Sequence, residues 1–226
     1  MTGKFAAASE AARRVKDGQV IGLGSGTTAE LAIEEIGRRM RDESIEIIGI
    51  PTSIMSEKTA LQAGIEISSL DEHGELDLTI DGADEIDPAL NLIKGLGGAL
   101  LREKIVAEAS RVELIIADRT KLVERLGTKA PLPVEITRFA PGHFAARLSK
   151  LGCTPILRSD GGKPFVTDNG NYVIDCKFAE IKNPSDLEFK IKSIAGVVET
   201  GLFIGIADEA IIGMEDGSTR SMSKSE

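Results

Sequence analysis

Val20-Ile21-Gly22-Leu23-Gly24-Ser25-Gly26-Thr27-Thr28-Ala29-Glu30-Leu31-Ala32-Ile33-Glu34-Glu35-Ile36 decides how this chain is read. The first residues form a short apolar run, as a buried strand does. Glycines and hydroxyls then make a turn. Ala29, Ala32, Ile33, Ile36 and Met40 return at the spacing of one helical face. Strand, glycine turn and helix together open a βαβ unit.

Further units lie on either side. Upstream, Phe5, Ala8, Ala12 and Val15 share a helical face. Downstream, 45–50 reads as a strand, and Thr52 or Ser53 can cap a helix running to Gly64, a suitable residue just past a helix end. Strands are expected at 65–67, 76–80 and 112–117, with a helix over 99–109 between the last two. Apolar strands alternating with amphipathic helices imply a mostly parallel sheet. Such sheets bind ligands beyond the carboxyl ends of their strands. Two polar clusters, one after Leu23 and one after Ile80, fall in that position.

The pattern changes near Gly127, and Pro131-Leu132-Pro133 marks a boundary. Beyond it the spacing predicts a strand (134–137), a helix (142–151) and a strand (154–158). A hairpin of 165–167 with 172–176 would turn at Asp168-Asn169-Gly170-Asn171. A helix over 184–194 opens on a first-turn proline, and 197–203 reads as a strand. This is a split-βαβ, ferredoxin-like order. Residues 209–213 are expected to rejoin the first sheet, and the polar tail 218–226 to fray. The expected architecture is therefore α/β. A Rossmann-like, mostly parallel sheet domain (1–128 and 203–226) carries a smaller ferredoxin-like α+β domain (129–202).

Composition narrows the function. The chain has 226 residues, 42% of them hydrophobic but only 4% aromatic, so the core must be aliphatic. Acidic side chains number 36 against 27 basic ones, a formal net charge of −9. With no basic cluster, nucleic acid and anionic membranes are poor partners. A phosphorylated substrate would need local positive potential. Two cysteines, Cys153 and Cys176, make neither a C-x-x-C pair nor a disulfide scaffold, which favours a reducing compartment, the cytoplasm. The first 16 residues mix charges among alanines, unlike a signal peptide. No apolar run reaches the ~20 residues of a membrane helix.

The glycine loop is not a dinucleotide fingerprint. G-x-G-x-x-G would need glycine where Thr27 stands, and the second strand ends Gly49-Ile50-Pro51 with no acid for a ribose hydroxyl. No Gly-Lys-Ser/Thr follows, so a Walker loop fails too. Two readings stay open: a phosphate-monoester site, in which Ser25, Gly26, Thr27 and Thr28 offer backbone N–H groups and hydroxyls, or a plain tight turn with a helix cap.

Asp81-Gly82-Ala83-Asp84-Glu85-Ile86-Asp87 follows the fourth strand. Exposed turns are often acidic. Asp81, however, comes directly off the strand and aims at the ligand crevice, where Gly82 and Ala83 leave room for a small substrate. No Asp-x-Asp pair occurs here, neither His73 nor His143 lies near in sequence, and calcium-loop spacing is absent, so no metal is expected. A second loop, Lys94-Gly95-Leu96-Gly97-Gly98, precedes the helix at 99. Glu103 sits in that helix's first turns between the cations Arg102 and Lys104, where position alone favours a solvated surface acid. Taken together, two carboxylates, a lysine and a phosphate loop are the parts needed to move a proton beside a carbonyl. Hydride transfer, zinc hydrolysis and a Ser-His-Asp triad lack ingredients.

Gly24-Ser25-Gly26-Thr27-Thr28, Asp81-Gly82-Ala83-Asp84-Glu85, Lys94-Gly95-Leu96-Gly97-Gly98 with Arg102-Glu103-Lys104, and Pro131-Leu132-Pro133-Val134-Glu135 resemble blocks of the type A ribose-5-phosphate isomerases. So do Val166-Thr167-Asp168-Asn169-Gly170-Asn171 and Gly196-Val197-Val198 with Gly201-Leu202-Phe203. The blocks occur in family order, from near the N-terminus to about Gly217.

The resemblance implies interconversion of D-ribose 5-phosphate and D-ribulose 5-phosphate through an enediol, in the non-oxidative branch of the pentose phosphate pathway. It implies no metal, no organic cofactor and a homodimer or homotetramer. By that likeness Glu103 shuttles the proton between C1 and C2, and Asp81 assists ring opening or moves hydroxyl protons. Asp84 lies near the sugar hydroxyls and Lys94 polarises the carbonyl oxygen. Ser25 to Thr28 hold the phosphate, Lys121 lines the substrate site beside Gly82, Ala83, Gly95, Leu96 and Gly97, and Lys4 is a further phosphate candidate. Two positions depart from the pattern: Ser25, where threonine is usual, and Leu96, where glycine is common. An inward Leu96 would narrow the site. Other readings are an amino-sugar phosphate deaminase, which should need a histidine for ring opening, a CoA transferase with a glutamate nucleophile, and a non-catalytic sugar-phosphate sensor.

Overall fold

The computed structural model describes residues 3–224. Along the chain the first elements are α1 (Gly3–Ala12), β1 (Val20–Leu23), α2 (Thr27–Glu43), β2 (Ile48–Pro51), α3 (Ile54–Ala63), β3 (Glu66–Ile67) and β4 (Leu78–Gly82). Then come β5 (Glu85–Ile86), β6 (Leu92–Ile93), α4 (Leu100–Glu108), β7 (Glu113–Asp118) and a 3-10 turn, Arg119–Lys121. The rest are β8 (Leu132–Ile136), α5 (Pro141–Ser149), β9 (Thr154–Leu157), β10 (Ser159–Asp160), β11 (Lys163–Pro164), β12 (Tyr172–Lys177), α6 (Pro184–Lys192), β13 (Val197–Thr200), β14 (Leu202–Phe203), β15 (Glu209–Gly213) and β16 (Thr219–Ser223). The chain divides into two compact units. One holds 3–83, 102–122 and 205–224; the other holds Asp84–Leu101 and Val123–Ile204.

The first unit is built on a seven-stranded sheet, β16-β15-β7-β4-β1-β2-β3. All its pairs are parallel except β15 with β16. As the lack of aromatics requires, the core is aliphatic: Ile21 and Leu23 of β1, Ile33 and Ile36 of α2, and Leu114 and Ile116 of β7 are fully buried. Each such side chain contributes roughly 1.5–3 kcal/mol by leaving water. The inner face of α1 is alanine (Ala7, Ala8, Ala11, Ala12), which lets that helix lie close. Strand order reverses at β1: the chain goes to β2 and β3 on one side, then to β4 and β7 on the other. At such a reversal, here at the carboxyl ends of β1 and β4, doubly wound sheets take their ligands.

The second unit runs β8-α5-β9-β12-α6-β13, and its antiparallel sheet has the order β13-β8-β12-β9. This is the ferredoxin-like arrangement expected of 129–202. Leu132, Val134 and Ile136 of β8 point to one face and pack with Phe144, Leu148, Leu187 and Ile191 of the two helices. The alternate β8 residue Glu135 therefore faces the other way, yet it too is buried.

Several elements depart from the sequence reading. Asp84–Leu101 and 123–128 belong to the second unit, because β5 and β6 form a small sheet with β14. Three two-residue strands carry too little pattern to be seen locally. The single strand expected over 197–203 is two, divided at Gly201, whose missing side chain lets Lys94 O come within 2.2 Å of where a Cβ would stand. Residues 165–167 pair as no ladder; Thr167 N–H bonds Asn171 O and Gly170 N–H bonds Thr167 O, a turn that closes on itself. The tail does not fray throughout, since β16 pairs with β15 along its whole length. Asp216-Gly217 makes the hairpin, with Gly217 at φ +85 and the Asp216 carboxylate accepting from Ser218 N–H and Oγ–H. Ser225 and Glu226 lie outside the described residues.

Candidate active site

In the first unit, the backbones of β1 and β4 touch. A Cβ on Gly22 would lie 1.9 Å from Thr79 Oγ1, and one on Gly24 would lie 2.3 Å from Asp81 Oδ1. The two glycines therefore set how closely the glycine loop and Asp81 approach. Gly24 N–H bonds Ile80 O at 3.0 Å, and Asp81 Oδ1 accepts the N–H groups of Ser25 (3.0 Å) and Gly82 (2.6 Å). Asp81 is fully buried.

Gly26 begins α2 with φ +89, open to glycine at little cost. No side chain caps this helix. The first N–H groups of a helix have no partner within it, and a start without a side-chain cap is what an anion site requires. The capping reading of the loop therefore fails for α2. The hydroxyl of Ser25 is committed elsewhere, 2.8 Å from Thr52 Oγ1 and donating to Ser53 Oγ at 2.7 Å. Gly26 and Thr27 are exposed and Thr28 is half-buried. Lys4 Nζ donates to Thr27 Oγ1 at 2.9 Å, so a cation stands beside the start of α2.

Glu103 lies in the first turn of α4 and is only 5% exposed. A solvated surface acid is not what the structure holds at that position. Lys121 ends the 3-10 turn after β7 and is half-buried. Asp118 caps that turn by accepting from Thr120 N–H at 2.8 Å. Burial pushes the Asp118 carboxyl up, but the Thr120 hydroxyl and N–H, with the charges of Lys4 and Lys121, outweigh it and hold it below the ordinary range. Lys4, Asp118, Arg119 and Thr120 border a cavity of about 510 Å³.

In the second unit, Asp84 is half-buried; its N–H bonds Ile93 O at 2.8 Å and its Oδ2 accepts Leu96 N–H at 2.9 Å. Lys94 is 2% exposed, with its N–H on Gly201 O at 2.9 Å and its ammonium 5.4 Å from the Phe203 ring centre. Leu96 and Gly97 are exposed and Gly95 is buried; Leu96, at 42% exposure, does not fill the interior of its unit.

The remaining acids of the turn have structural work. Glu85, fully buried, accepts from Gly127 N–H (2.5 Å), Lys129 N–H (2.5 Å) and Ala130 N–H (2.7 Å). Asp87 closes its own turn onto Ala89 and Asn91. Of the candidates, Ser25, Gly26, Thr27, Thr28, Asp81, Gly82, Ala83, Glu103 and Lys121 belong to the first unit, and Asp84, Lys94, Gly95, Leu96 and Gly97 to the second. Sequence reasoning missed Arg158, whose guanidinium holds the carbonyls of Gly95 and Leu96 from 62 and more residues away. No local pattern carries a contact of that separation.

Among the described residues no three His, Cys, Asp or Glu side chains are grouped to hold a metal ion, and no helix is long and apolar enough to cross a membrane.

Residues 48–217 match the family model for ribose 5-phosphate isomerase A (phosphoriboisomerase A). Ribose-5-phosphate isomerase A of Synechococcus sp. (strain JA-3-3Ab) is 50% identical over 217 residues, covering 95% of this chain and 94% of its own. The solved ribose 5-phosphate isomerase A of Methanocaldococcus jannaschii is 40% identical with a TM-score of 0.93, covering 98% of both chains. A D-ribose-5-phosphate isomerase solved in complex with phospho-erythronic acid is 38% identical with a TM-score of 0.94, covering 98% of this chain and 97% of that one. A match across most of the length, in both sequence and fold, is what the ordered motif blocks and the sheet topology lead to: this chain belongs to the ribose 5-phosphate isomerase A family.

Proposed function

We propose that Glu103 is the base by which this chain interconverts D-ribose 5-phosphate and D-ribulose 5-phosphate. As a member of its family the chain is an aldose-ketose isomerase. The Glu103 carboxylate takes the proton from C2 of the open-chain aldose, and the C–H electrons become the C1–C2 double bond of an enediolate. Lys94 stabilises the charge that develops on oxygen. The proton returns to C1 as the proton of the O2 hydroxyl passes to O1, so that C2 becomes the carbonyl and C1 a CH2OH group, giving the ketose. Asp81 handles hydroxyl protons and ring opening, Asp84 holds sugar hydroxyls, and the uncapped start of α2 with Thr27, Thr28 and Lys4 takes the phosphate. Lys121 lines the substrate site with Gly82, Ala83, Gly95, Leu96 and Gly97.

The observation that carries this reading is the strand reversal at β1. It sets the fully buried Asp81 carboxylate against a glycine loop that leads into a helix start with no side-chain cap. The complex of a 38% identical relative with phospho-erythronic acid, a phosphorylated sugar acid, supports the same substrate class. Carboxylates and a lysine suffice for the proton transfer, so the proposed mechanism uses no metal or organic cofactor. The composition, with two isolated cysteines, supports a cytoplasmic setting, and the family likeness supports a homodimer or homotetramer.

The test is conversion of ribose 5-phosphate by the purified chain in EDTA, with Glu103→Gln beside it. The variant should lose about 10²-fold or more in kcat, as when a general base is removed. Near-normal kcat in the variant removes Glu103 from the role; turnover abolished by chelation removes the metal-free mechanism.

A further inference from the structure

We propose that Arg158 is a positioning residue for the isomerisation: anchored by Asp175, it fixes the loop Gly95–Gly98 and, through it, Lys94 and Asp84. This rests on the isomerase reading above. Within itself the loop has one backbone hydrogen bond, Gly98 N–H to Gly95 O at 3.0 Å, and few side chains to pack. Gly95 and Gly98 sit at φ +100 and +86, Gly97 has no side chain, and Leu96 is 42% exposed. One internal bond across a glycine-rich segment fixes it weakly, so contacts from outside do most to hold one conformation.

Two side chains grip it from opposite polarities. Asp84 takes the N–H of Leu96, and Arg158 Nη1 donates to Gly95 O at 3.0 Å and Leu96 O at 2.9 Å. The Arg158 side chain is 12% exposed, a burial that needs a counter-charge. Asp175 supplies it in forked geometry, accepting from Nε at 2.9 Å and from Nη2.

The sheet aims this fork. Arg158 leaves the end of β9, whose Leu157 pairs with Ile174 of β12, and Asp175 is the next β12 residue. Arg158 N–H also bonds Val173 O at 2.8 Å. The Phe165 ring lies 5.6 Å from the guanidinium carbon, and a Cβ on Gly98 would stand 2.5 Å from that ring, so the same aromatic side chain packs on the arginine and on the loop. Lys94 enters the loop from a backbone pinned to Gly201, and Asp84 is bonded to the loop directly. Displacing the carbonyls of Gly95 and Leu96 would therefore displace Asp84 and Lys94, two of the groups that the proposed reaction uses.

Lysine at 158 keeps the charge but is a point donor. It cannot span two carbonyls and a forked carboxylate together. Arg158→Lys should keep a melting temperature close to wild type and lose about tenfold in kcat, with KM changed by less than about threefold, the pattern of a misplaced group rather than lost uniform binding. Leu187→Ala, which opens the helix-packed core of the same unit, is the control. It should lower the melting temperature and leave kcat in place. Unchanged kcat in Arg158→Lys, or a kcat loss that Leu187→Ala reproduces at equal loss of melting temperature, overturns the proposal. Should Arg158→Lys fail to fold, Asp175→Asn, which keeps the shape and one acceptor, takes its place: lost kcat in a folded variant supports the role and unchanged kcat overturns it. A folded wild-type chain with no turnover of ribose 5-phosphate would instead remove the isomerase reading, and the positioning role with it.

Discussion

The Asp81 carboxylate occupies the space that any side chain at Gly24 would need. A Cβ built on Gly24 stands 2.3 Å from Asp81 Oδ1 and 2.5 Å from Asp81 Cα. The second contact is with backbone, so a rotamer change in Asp81 cannot relieve it. Because Ser25 N–H bonds the same carboxylate oxygen, the glycine loop and the acid are set by one contact.

Gly24→Ala should therefore do two things at once. Overpacking between β1 and β4 costs about 2 kcal/mol, read as a lower urea midpoint. In the protein that still folds, kcat should fall, because β4 must retreat and carry Asp81 with it. Unaltered kcat with unaltered stability would mean that the strands separate freely, against the close approach of Gly24 and Asp81.

Glu85 is predicted to matter for stability and not for chemistry, although it stands in the same acidic turn. Its carboxylate serves the buried N–H groups of Gly127 and Ala130 and the part-buried N–H of Lys129. Glu85→Ala strands those donors, and each buried unsatisfied group costs about 1–3 kcal/mol. A total loss of about 3 kcal/mol or more is expected by chemical denaturation, while KM and kcat of the remaining folded protein stay near wild type. A large kcat loss at unchanged stability would move Glu85 into the reaction.

What could be read from the sequence was what the chain encodes locally. The strand, the glycine loop and the helix start at 20–36 are contiguous, and the change of hydrophobic period with Pro131-Leu132-Pro133 marks off most of the ferredoxin-like unit. The place of Asp81 near the carboxyl end of its strand was legible, although the strand runs on through it to Gly82. Glu103 was legible in place but not in burial, since its neighbours Arg102 and Lys104 read as a solvated face. Arg158, Glu85 and the sheet of β5, β6 and β14 depend on contacts between segments remote in sequence, which no window of residues contains. The β16 hairpin was legible in principle, through Asp216-Gly217, but the polar residues after it look like a tail.

Lys4 gives a test of the phosphate loop that is independent of the base. Its ammonium donates to Thr27 Oγ1 at the first residue of α2, and this helix has no side-chain cap. A dianionic phosphate at that helix start would meet N–H dipoles and one nearby cation. Hydrogen bonds to charged groups contribute about 1.5–3 kcal/mol, and about 1.4 kcal/mol is tenfold in affinity. Lys4→Met, which keeps the stem and removes the charge, should thus raise KM for ribose 5-phosphate by about tenfold. The inhibition constant of inorganic phosphate should rise by a similar factor. The phosphate is bound alike in ground state and transition state, so kcat should hold. Added salt should weaken wild-type binding more than binding by the variant, because one charge pair is gone. If kcat falls instead while KM and phosphate inhibition stay put, Lys4 acts at the reacting end of the sugar, and the phosphate belongs elsewhere than at the start of α2.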